Sequence, residues 1–456
     1  MDKCTVIQFQ YDNFPPLGAL YLAYGLEKEG IGFETRIFPA YKYGYDLNKL
    51  YSFLADSGDI LAIGCYSDFL PYLIVALKKL KKRFPEKVII LGGAGPTEVA
   101  EEIISAFHFI NFIIKGCGVY LLPKLIKRIQ SGNGKLDDIH GLVYRHNNAL
   151  VSNYYKGFYL NIPDLPAYHR IENIRLYDYF AIFTSFGCPY SCTFCSFRLV
   201  SPRKLIYRDL DEVIKEIKFI ASIKKHKKFY LHIYDEAFVV NKKRVIEFCN
   251  LLRLEMLNMS WDCYGRINDM DEELLEVMSK SGCRKIYYGI ESGSNETLRE
   301  IKKGFTIEEA VEVLLLSKKY IKTTIASFIF LFPFEKPLDF YYTKMAYLYL
   351  QAKGINVQLH PLNPVKNSEI YLKYKKDLFQ SKEVPSSYWP TFDLMPKTCV
   401  KLIKTYPEIF YYYYCYNFEH LHKILNSADS LFTPKYTKNS KRKAKNEAVR
   451  GSVGMG

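Results

Sequence analysis

Three cysteines stand close together near the middle of the sequence, at positions 188, 192 and 195. The spacing Cys188-x3-Cys192-x2-Cys195 places three thiolates on one short loop, within reach of three corners of a single iron–sulfur cube. A zinc knuckle is one alternative, but structural zinc is bound by four ligands and no fourth Cys or His lies nearby. A coincidence of buried free thiols is the other. The spacing favours a 4Fe-4S cluster.

The fourth iron of such a cluster has no protein ligand. An open iron can chelate the amino and carboxylate groups of S-adenosylmethionine, and an electron from the cluster can then break the sulfonium bond to give a 5′-deoxyadenosyl radical. The total of eleven cysteines is odd, and those outside the group are scattered, so a disulfide framework fits the sequence poorly.

Polar side chains stand at the ends of predicted strands in the same part of the chain. Asp235 and Glu236 end a second strand, Arg266 follows a third, and Glu291 and Ser292 end a fourth. The carboxyl ends of parallel strands gather on one rim, where barrel enzymes carry their chemistry. The alternatives are a solvated loop pair for the two carboxylates and an ordinary rim salt bridge for the arginine.

The first 135 residues predict an open parallel sheet of the Rossmann type, because short apolar strands alternate with amphipathic helices. The predicted strands are Thr5 to Phe9, Phe33 to Phe38, Ile60 to Tyr66, Lys87 to Leu91 and Phe109 to Lys115. Ligands of such sheets bind beyond the carboxyl ends of the strands. The predicted pocket therefore includes the glycines of the sheet-end loops, where backbone can approach a ligand closely: Gly92, Gly93, Gly116 and Gly118.

The rest of the chain predicts a linker, a second α/β unit and a tail. Turn signals over 136–178 indicate a hairpin and linker. Six further strand and helix units over 179–390 predict a partial (β/α)6 barrel of the TIM type, with the cysteines directly after its first strand. Residues 391–456 are aromatic-rich and end in a basic segment, for which we expect disorder.

Composition agrees with a soluble protein of two or three domains. The chain has 456 residues, 49% of them hydrophobic and 24% charged. No apolar run reaches the roughly 18 residues of a membrane span, and no signal peptide is visible, so we expect a cytoplasmic protein. The net charge of +15 raises nucleic acid as a partner. The chain is rich in the residue types that AT-rich genomes favour, namely Lys, Tyr, Phe, Ile and Asn. We therefore interpret the excess of positive charge as lysine side chains exposed to solvent.

At the cysteines, with Phe194 between the second and third, the chain resembles the radical S-adenosylmethionine (radical SAM) superfamily. Further segments recur in that family's order: Arg203 to Arg208, Tyr234 to Phe238, Trp261 to Arg266, Gly282-Cys283 and Gly289 to Gly293. The first half is similar to a subgroup with a cobalamin-binding domain before the radical domain, at Pro15 to Gly18, Leu91 to Gly93 and Lys115 to Gly118. The likeness covers about residues 1 to 370.

The resemblance implies three cofactors: a 4Fe-4S cluster, S-adenosylmethionine and cobalamin. It also implies roles for the rim residues. Asp235 or Glu236 is expected to hold the ammonium of S-adenosylmethionine, Glu291 and Ser292 its ribose, and Arg266 the carboxylate of S-adenosylmethionine or of a substrate. The glycine loops of the first sheet are expected to bind the corrin.

The predicted activity is radical C-methylation, or another radical modification, of a small metabolite or peptide, with an external electron donor such as flavodoxin or ferredoxin. No Asp-x-His-x-x-Gly occurs in the first half, so we expect no protein ligand below cobalt. One alternative is a cobalamin-independent radical enzyme. Another is a tRNA-modifying methylthiotransferase or nucleic-acid-binding protein, although the first half lacks the extra cysteines for a second cluster. Fold analogy does not name the substrate.

Overall fold

The computed structural model describes residues 3–10, 14–43, 46–132, 134–155, 165–195, 203–225, 227–380 and 395–428. Within these residues the strands form a seven-stranded sheet early in the chain, a six-stranded sheet in its middle and two short two-stranded pairs. Separate apolar cores surround the two large sheets. The basic segment that we expect to be disordered, from Lys435 to Lys445, lies outside the described residues.

The first sheet has the order β2-β1-β3-β4-β5-β6-β7. Strands β1 to β5 pair in parallel, which confirms the predicted open parallel sheet, and β6 and β7 add to one edge in antiparallel orientation. The turn between β6 and β7 is Asn147-Asn148, with φ of 48° and 63°, as two-residue hairpins require. The strands are β1 (Cys4–Gln10), β2 (Phe33–Pro39), β3 (Ile60–Gly64), β4 (Val88–Gly92), β5 (Phe112–Ile114), β6 (Leu142–His146) and β7 (Ala149–Ser152).

Helices cover both faces of this sheet. In the helix Leu70–Arg83, four buried leucines recur every three or four residues and Lys81, Lys82 and Arg83 occupy the last turn, where cations favour the helix dipole. The helices are α1 (Leu17–Lys28), α2 (Ala40–Tyr43), α3 (Leu47–Ala55), α4 (Leu70–Arg83), α5 (Ala94–Glu98), α6 (Ala100–Ala106) and α7 (Leu121–Ser131).

The second sheet is a partial barrel, as the sequence predicts. Six parallel strands follow one another in chain order, as β8-β11-β12-β13-β14-β15. The predicted strand Phe180 to Phe186 divides into β8 and β9, and β9 pairs with β10 in a small antiparallel ribbon. The strands are β8 (Tyr179–Ile182), β9 (Ser185–Phe186), β10 (Ile206–Tyr207), β11 (Phe229–Ile233), β12 (Met259–Gly265), β13 (Cys283–Glu291), β14 (Thr323–Phe330) and β15 (Asn356–Pro361).

The barrel core lies between these strands and their outer helices. Phe229, Leu231 and Ile233 of β11 are buried there, so Tyr230 and His232 point to the opposite face, inside the barrel. The helices are α8 (Leu210–Ile223), α9 (Lys242–Leu254), α10 (Glu272–Lys280), α11 (Asn295–Glu300), α12 (Ile307–Tyr320), α13 (Pro337–Ala352) and α14 (Glu369–Tyr374).

After the barrel the chain returns to the first sheet. Helix α15 (Lys397–Thr405) packs against α4, and Phe410 and Tyr411 are buried in the core on that face of the sheet. Strands β16 (Leu378–Phe379) and β17 (Cys415–Tyr416) pair with each other, and α16 (Leu421–Ala428) packs on α13. Across the described segments, every helix is too short or too polar to cross a membrane.

Candidate active site at the carboxyl ends of the strands

The three clustered cysteines lie on the loop that follows β9. Each is partly exposed, none is in a disulfide, and the backbone N–H of Cys195 donates to the carbonyl of Cys192 at 3.3 Å. Burial raises the pKa of the Cys188 thiol, a cost that a bound metal offsets because it deprotonates its thiol ligands. Seven of the remaining cysteines are buried, and Cys117 is partly buried.

These thiols fit an iron–sulfur cube in their accessibility and spacing. Over the part of the chain that the structure describes, no three His, Cys, Asp or Glu side chains converge tightly enough to hold a single metal ion. A 4Fe-4S cube binds each thiolate at a different iron and does not require that convergence. Two buried donors beside the cysteines, Thr193 Oγ1 and Arg266 Nε, have no acceptor among the described residues. Buried donors of this kind call for a bound group.

Asp235 and Glu236 lie at the end of β11 but face different surroundings. The Asp235 carboxylate is fully buried and accepts hydrogen bonds of 2.6 Å from the Thr184 N–H, the Thr184 hydroxyl and the Ser185 hydroxyl. Glu236 is half-buried, and its Oε2 accepts from the N–H of Gly187 at 2.9 Å, immediately before Cys188. Asp235 therefore holds the strand that leads into the cysteine loop, and Glu236 borders the loop itself.

Arg266 lies against the cysteine loop. Its Nη1 donates to Cys192 Sγ at 3.7 Å, and its guanidinium carbon lies 3.5 Å from the centre of the Tyr190 ring. Its Nη2 donates to the carbonyl of Lys303, and the Tyr190 hydroxyl donates to Asp269. The structure thus brings this predicted site residue directly to a predicted cluster ligand.

Glu291 and Ser292, at the end of β13, are both buried but contact different partners. Glu291 has a φ of 74°, unusual for a residue other than glycine, and its Oε1 lies 3.3 Å from Lys303 Nζ. The Ser292 hydroxyl is completely buried, 3.1 Å from the Thr343 hydroxyl of α13, and accepts from the N–H of Ser294. Ser292 therefore stabilises the loop that follows β13 through its hydrogen bonds, whereas the Glu291 carboxylate lies next to the Lys303 ammonium.

A turn that sequence reasoning missed supports the cysteine loop. The carbonyl of Ile301 accepts from the N–H of Thr193 at 3.2 Å, and that of Gly304 accepts from the Asn268 side chain at 2.7 Å. Between them lies Lys303, whose carbonyl and ammonium contact Arg266 and Glu291. The positive φ of Lys302 and Gly304 gives this turn its shape, and only the Lys-Lys-Gly sequence hints at it.

Phe194 packs edge-on against Phe332 beyond β14, with ring centres 6.1 Å apart. The turn that carries Phe332 is held by Glu335, whose Oε2 accepts from the N–H of Leu331 at 2.7 Å. Glu335 is 1% exposed, and its Oε1 has no hydrogen-bond partner within the segments that the structure describes. Burial raises its pKa to about 8, so the group is largely protonated at neutral pH.

A cavity of about 270 Å³ lies at the carboxyl ends of the first sheet. All four predicted glycines line it: Gly92, Gly93, Gly116 and Gly118. Phe183 and Phe186, which lead into the cysteine loop, form another part of its wall. The cavity therefore reaches from the glycine loops to the neighbourhood of the clustered cysteines. His108 and His140 are exposed and do not line it.

The two central glycines differ in what a side chain would meet. At Gly93, with a φ of 87°, an added Cβ would lie 2.8 Å from the Cys65 carbonyl oxygen, so only glycine is accommodated. At Gly92 the nearest atom would be 3.6 Å away, and the backbone is unstrained. A side chain at Gly92 would fill the cavity without distorting the loop.

Comparison with known proteins agrees with this geometry. The family model of the radical SAM superfamily matches residues 182–343, which include the cysteine loop and β9 to β14. An uncharacterized methyltransferase of Pyrococcus horikoshii is 26% identical over 332 residues, covering 70% of this chain and 70% of that protein.

Two solved structures share the fold over nearly the whole chain. The radical S-adenosylmethionine methyltransferase TsrM of Kitasatospora setae, solved with tryptophan and an S-adenosylmethionine analogue, superposes with a TM-score of 0.71 at 17% identity, covering 94% of this chain and 89% of TsrM. The cobalamin-dependent enzyme OxsB, solved with aqua-cobalamin and S-adenosylmethionine, gives a TM-score of 0.69 at 18% identity, covering 99% of this chain and 70% of OxsB. The order of both sheets along the chain is thus an established architecture.

Proposed function

We propose that this chain, which belongs to the radical SAM superfamily, uses a cobalamin held by its first sheet to methylate or otherwise modify a small metabolite or peptide. The observation that carries the proposal is the cavity, because its wall joins the four glycines of the sheet-end loops to the two phenylalanines that precede Cys188. A cofactor held by the glycine loops would lie beside the cysteine loop, and cofactor sites commonly lie between domains. The glycines belong to loops of the first sheet, and Phe183 and Phe186 belong to the barrel segment, so residues of both units line the cavity.

When bound on Cys188, Cys192 and Cys195, the cluster supplies the electron that breaks the sulfonium bond of S-adenosylmethionine. The chain's own residues bind S-adenosylmethionine and orient it toward the cluster. Glu236, half-buried next to Cys188, is the carboxylate that we assign to the ammonium, because the Asp235 carboxylate is already saturated by three donors. Glu291 is assigned to the ribose hydroxyls, and Lys303 holds its carboxylate in place.

Bound cobalamin carries a methyl group that can be transferred to carbon. The chain contributes a mostly apolar pocket with little side-chain volume at its centre, since Gly64, Gly92 and Gly93 line adjacent positions. No histidine lines this pocket, so within the described residues the chain offers no imidazole to cobalt from that side. Binding therefore relies on shape, apolar contact and backbone groups.

Electrons must come from a separate donor protein such as flavodoxin or ferredoxin, and we place the enzyme in the cytoplasm. All eleven cysteines are free thiols, as expected in a reducing compartment.

The test is anaerobic reconstitution of the full chain with iron and sulfide, with and without hydroxocobalamin, followed by gel filtration and absorption spectroscopy. We expect about four irons per chain, retained cobalamin, and formation of 5′-deoxyadenosine or S-adenosylhomocysteine from S-adenosylmethionine under reduction. A loaded cluster without retained cobalamin would remove methyl transfer and favour a cobalamin-independent radical enzyme. Failure to load a cluster would contradict the whole proposal.

A further inference from the structure

Contacts on several sides hold the guanidinium of Arg266 against the cysteine loop. Tyr190, two residues after Cys188, covers one face of its plane at 3.5 Å. One amino group donates to Cys192 Sγ and the other to the Lys303 carbonyl. Tyr190 is itself fixed by its hydrogen bond to Asp269, three residues beyond Arg266. These contacts leave the guanidinium little freedom to turn away from the cysteine.

The family resemblance suggests that Arg266 binds the carboxylate of S-adenosylmethionine or of a substrate. A two-pronged carboxylate contact uses two parallel N–H groups of the guanidinium. Here one N–H of each amino group already serves another acceptor, a sulfur on one side and a backbone carbonyl on the other, so both amino groups are directed at the protein. Its Nε is buried and has no acceptor among the described residues.

We propose that Arg266 is a positioning residue that donates to the Cys192 thiolate and raises the reduction potential of the cluster. This inference rests on the proposed iron–sulfur site. Reduction adds negative charge to the cluster, and a fixed cation with an N–H···S hydrogen bond stabilises that charge. The arginine must stay charged and directed at the sulfur, and the Tyr190 stack and the Lys303 carbonyl hold it there.

The experiment is a redox titration of the reconstituted full-length protein without S-adenosylmethionine, followed by electron paramagnetic resonance of the reduced cluster. Arg266→Gln removes the charge and is expected to lower the midpoint potential by at least about 59 mV, which is a tenfold change for a one-electron couple. Arg266→Lys keeps the charge but not the fork of donors, and should give a smaller shift in the same direction. Iron content is measured for each variant.

The matched control is Arg170→Gln. Arg170 also stacks on an aromatic ring, 4.8 Å from the centre of Phe33, and pairs with Glu27, but on the first sheet. Its replacement removes the same charge and should leave the potential unchanged. A wild-type potential in both loaded Arg266 variants would overturn the inference, and weaker S-adenosylmethionine binding in those variants would restore the carboxylate role. Failure of both variants to load iron would also overturn it, since the residue would then only support the loop. A wild-type protein without a cluster would instead contradict the proposed function.

Discussion

Asp235 and Arg266 hold opposite ends of the cysteine loop. Asp235 binds the two hydroxyl residues that precede the loop, and Arg266 binds Cys192 within it. Charged groups of this kind are costly to bury unless every one of their hydrogen bonds is made. Both residues therefore maintain the geometry of the cysteine loop, and the buried Asp235 carboxylate also contributes to the stability of the fold.

Replacement of any one of Cys188, Cys192 or Cys195 by alanine should abolish cluster loading, because each variant loses a corner ligand. Iron and sulfide counts after reconstitution measure this directly. The control is Cys263→Ala, at a buried cysteine in the barrel core. It should load normally, and a fully loaded Cys192→Ala protein would contradict the assignment.

Two variants should distinguish the role of Asp235 in stability from that of Glu236 in binding S-adenosylmethionine: Asp235→Asn and Glu236→Gln. The Asp235→Asn variant loses an acceptor that serves buried donors, so its free energy of unfolding should fall by roughly 1–3 kcal/mol. Glu236→Gln, at the rim, should leave stability unchanged and weaken S-adenosylmethionine binding by about tenfold or more, for the loss of a charge-assisted hydrogen bond. Chemical denaturation and equilibrium binding to the loaded protein are the two measurements. The reverse pattern would mean that Asp235 is the ligand carboxylate.

Glu335 should make stability depend on pH. Its pKa is raised by burial from 4.5 to about 8 in the folded protein. A raised folded pKa means that its stabilisation is complete below about pH 4.5 and is lost as pH rises toward 8, at roughly 1.4 kcal/mol per unit of pKa difference. Glu335→Gln stays neutral, so its free energy of unfolding should fall less than that of the wild type as pH rises across this window. The exposed Glu300→Gln should follow the wild-type curve; if Glu335→Gln does too, the burial argument is wrong.

At the scale of elements, the sheet-end loops and not the strands decide whether the first sheet binds a cofactor. Gly92 ends β4 at the cavity wall with room for a side chain. Gly93→Leu would strain the backbone, so a loss of cobalamin retention in that variant could result from misfolding as well as from a blocked cavity. Gly92 is therefore the better position for testing the cavity.

Gly92→Leu should abolish cobalamin retention through gel filtration while leaving the cluster and the thermal unfolding midpoint near wild type. Gly92 lines the cavity, so the leucine would add side-chain volume at its wall. The control is Gly32→Leu, at an exposed glycine with no atom near the added Cβ. Undiminished retention in Gly92→Leu would show that cobalamin, if bound, does not use this cavity.

Strands and helices with a regular repeat of apolar residues could be predicted from the sequence, whereas contacts between elements far apart in the chain could not. The apolar strands and the cysteine loop after the first barrel strand lie where the pattern places them. The sequence leaves Asp235 and Glu236 as alternative ligands of the ammonium, although alternation along a strand already predicts that consecutive side chains point to opposite faces. The contact between Arg266 and Cys192 is accompanied by the bond from Arg266 to the Lys303 carbonyl, and the Lys-Lys-Gly sequence of that turn does not predict which distant residue it contacts.

At the scale of the whole molecule, the two sheets are joined by more than the linker. Leu20 of α1 is buried in the barrel core, and its carbonyl accepts from the N–H of Ala167. Phe410, from the far end of the chain, is 1% exposed in the core of the first sheet. Both ends of the chain therefore tie one unit to the other.

Phe410→Ala should lower stability by roughly 3–5 kcal/mol, the cost of a large cavity in an apolar core. Because the units are tied together, Trp261 in the barrel should report the same lower midpoint as circular dichroism. The measurement uses a Trp389→Phe background, which leaves Trp261 as the sole tryptophan. A Trp261 transition that stays at the wild-type midpoint would mean that the two units unfold independently.

The return of the chain to its first sheet also determines when that sheet can finish folding during synthesis. Domains usually fold from the amino terminus as they leave the ribosome. Here the outer face of α4 is covered by α15 and Phe410, which are made after the whole barrel. A nascent chain therefore carries α4 without this covering helix until more than three hundred residues beyond the end of α4 have been added. That interval makes this face the surface on which a chaperone would act, and on which premature termination would leave the product prone to aggregate.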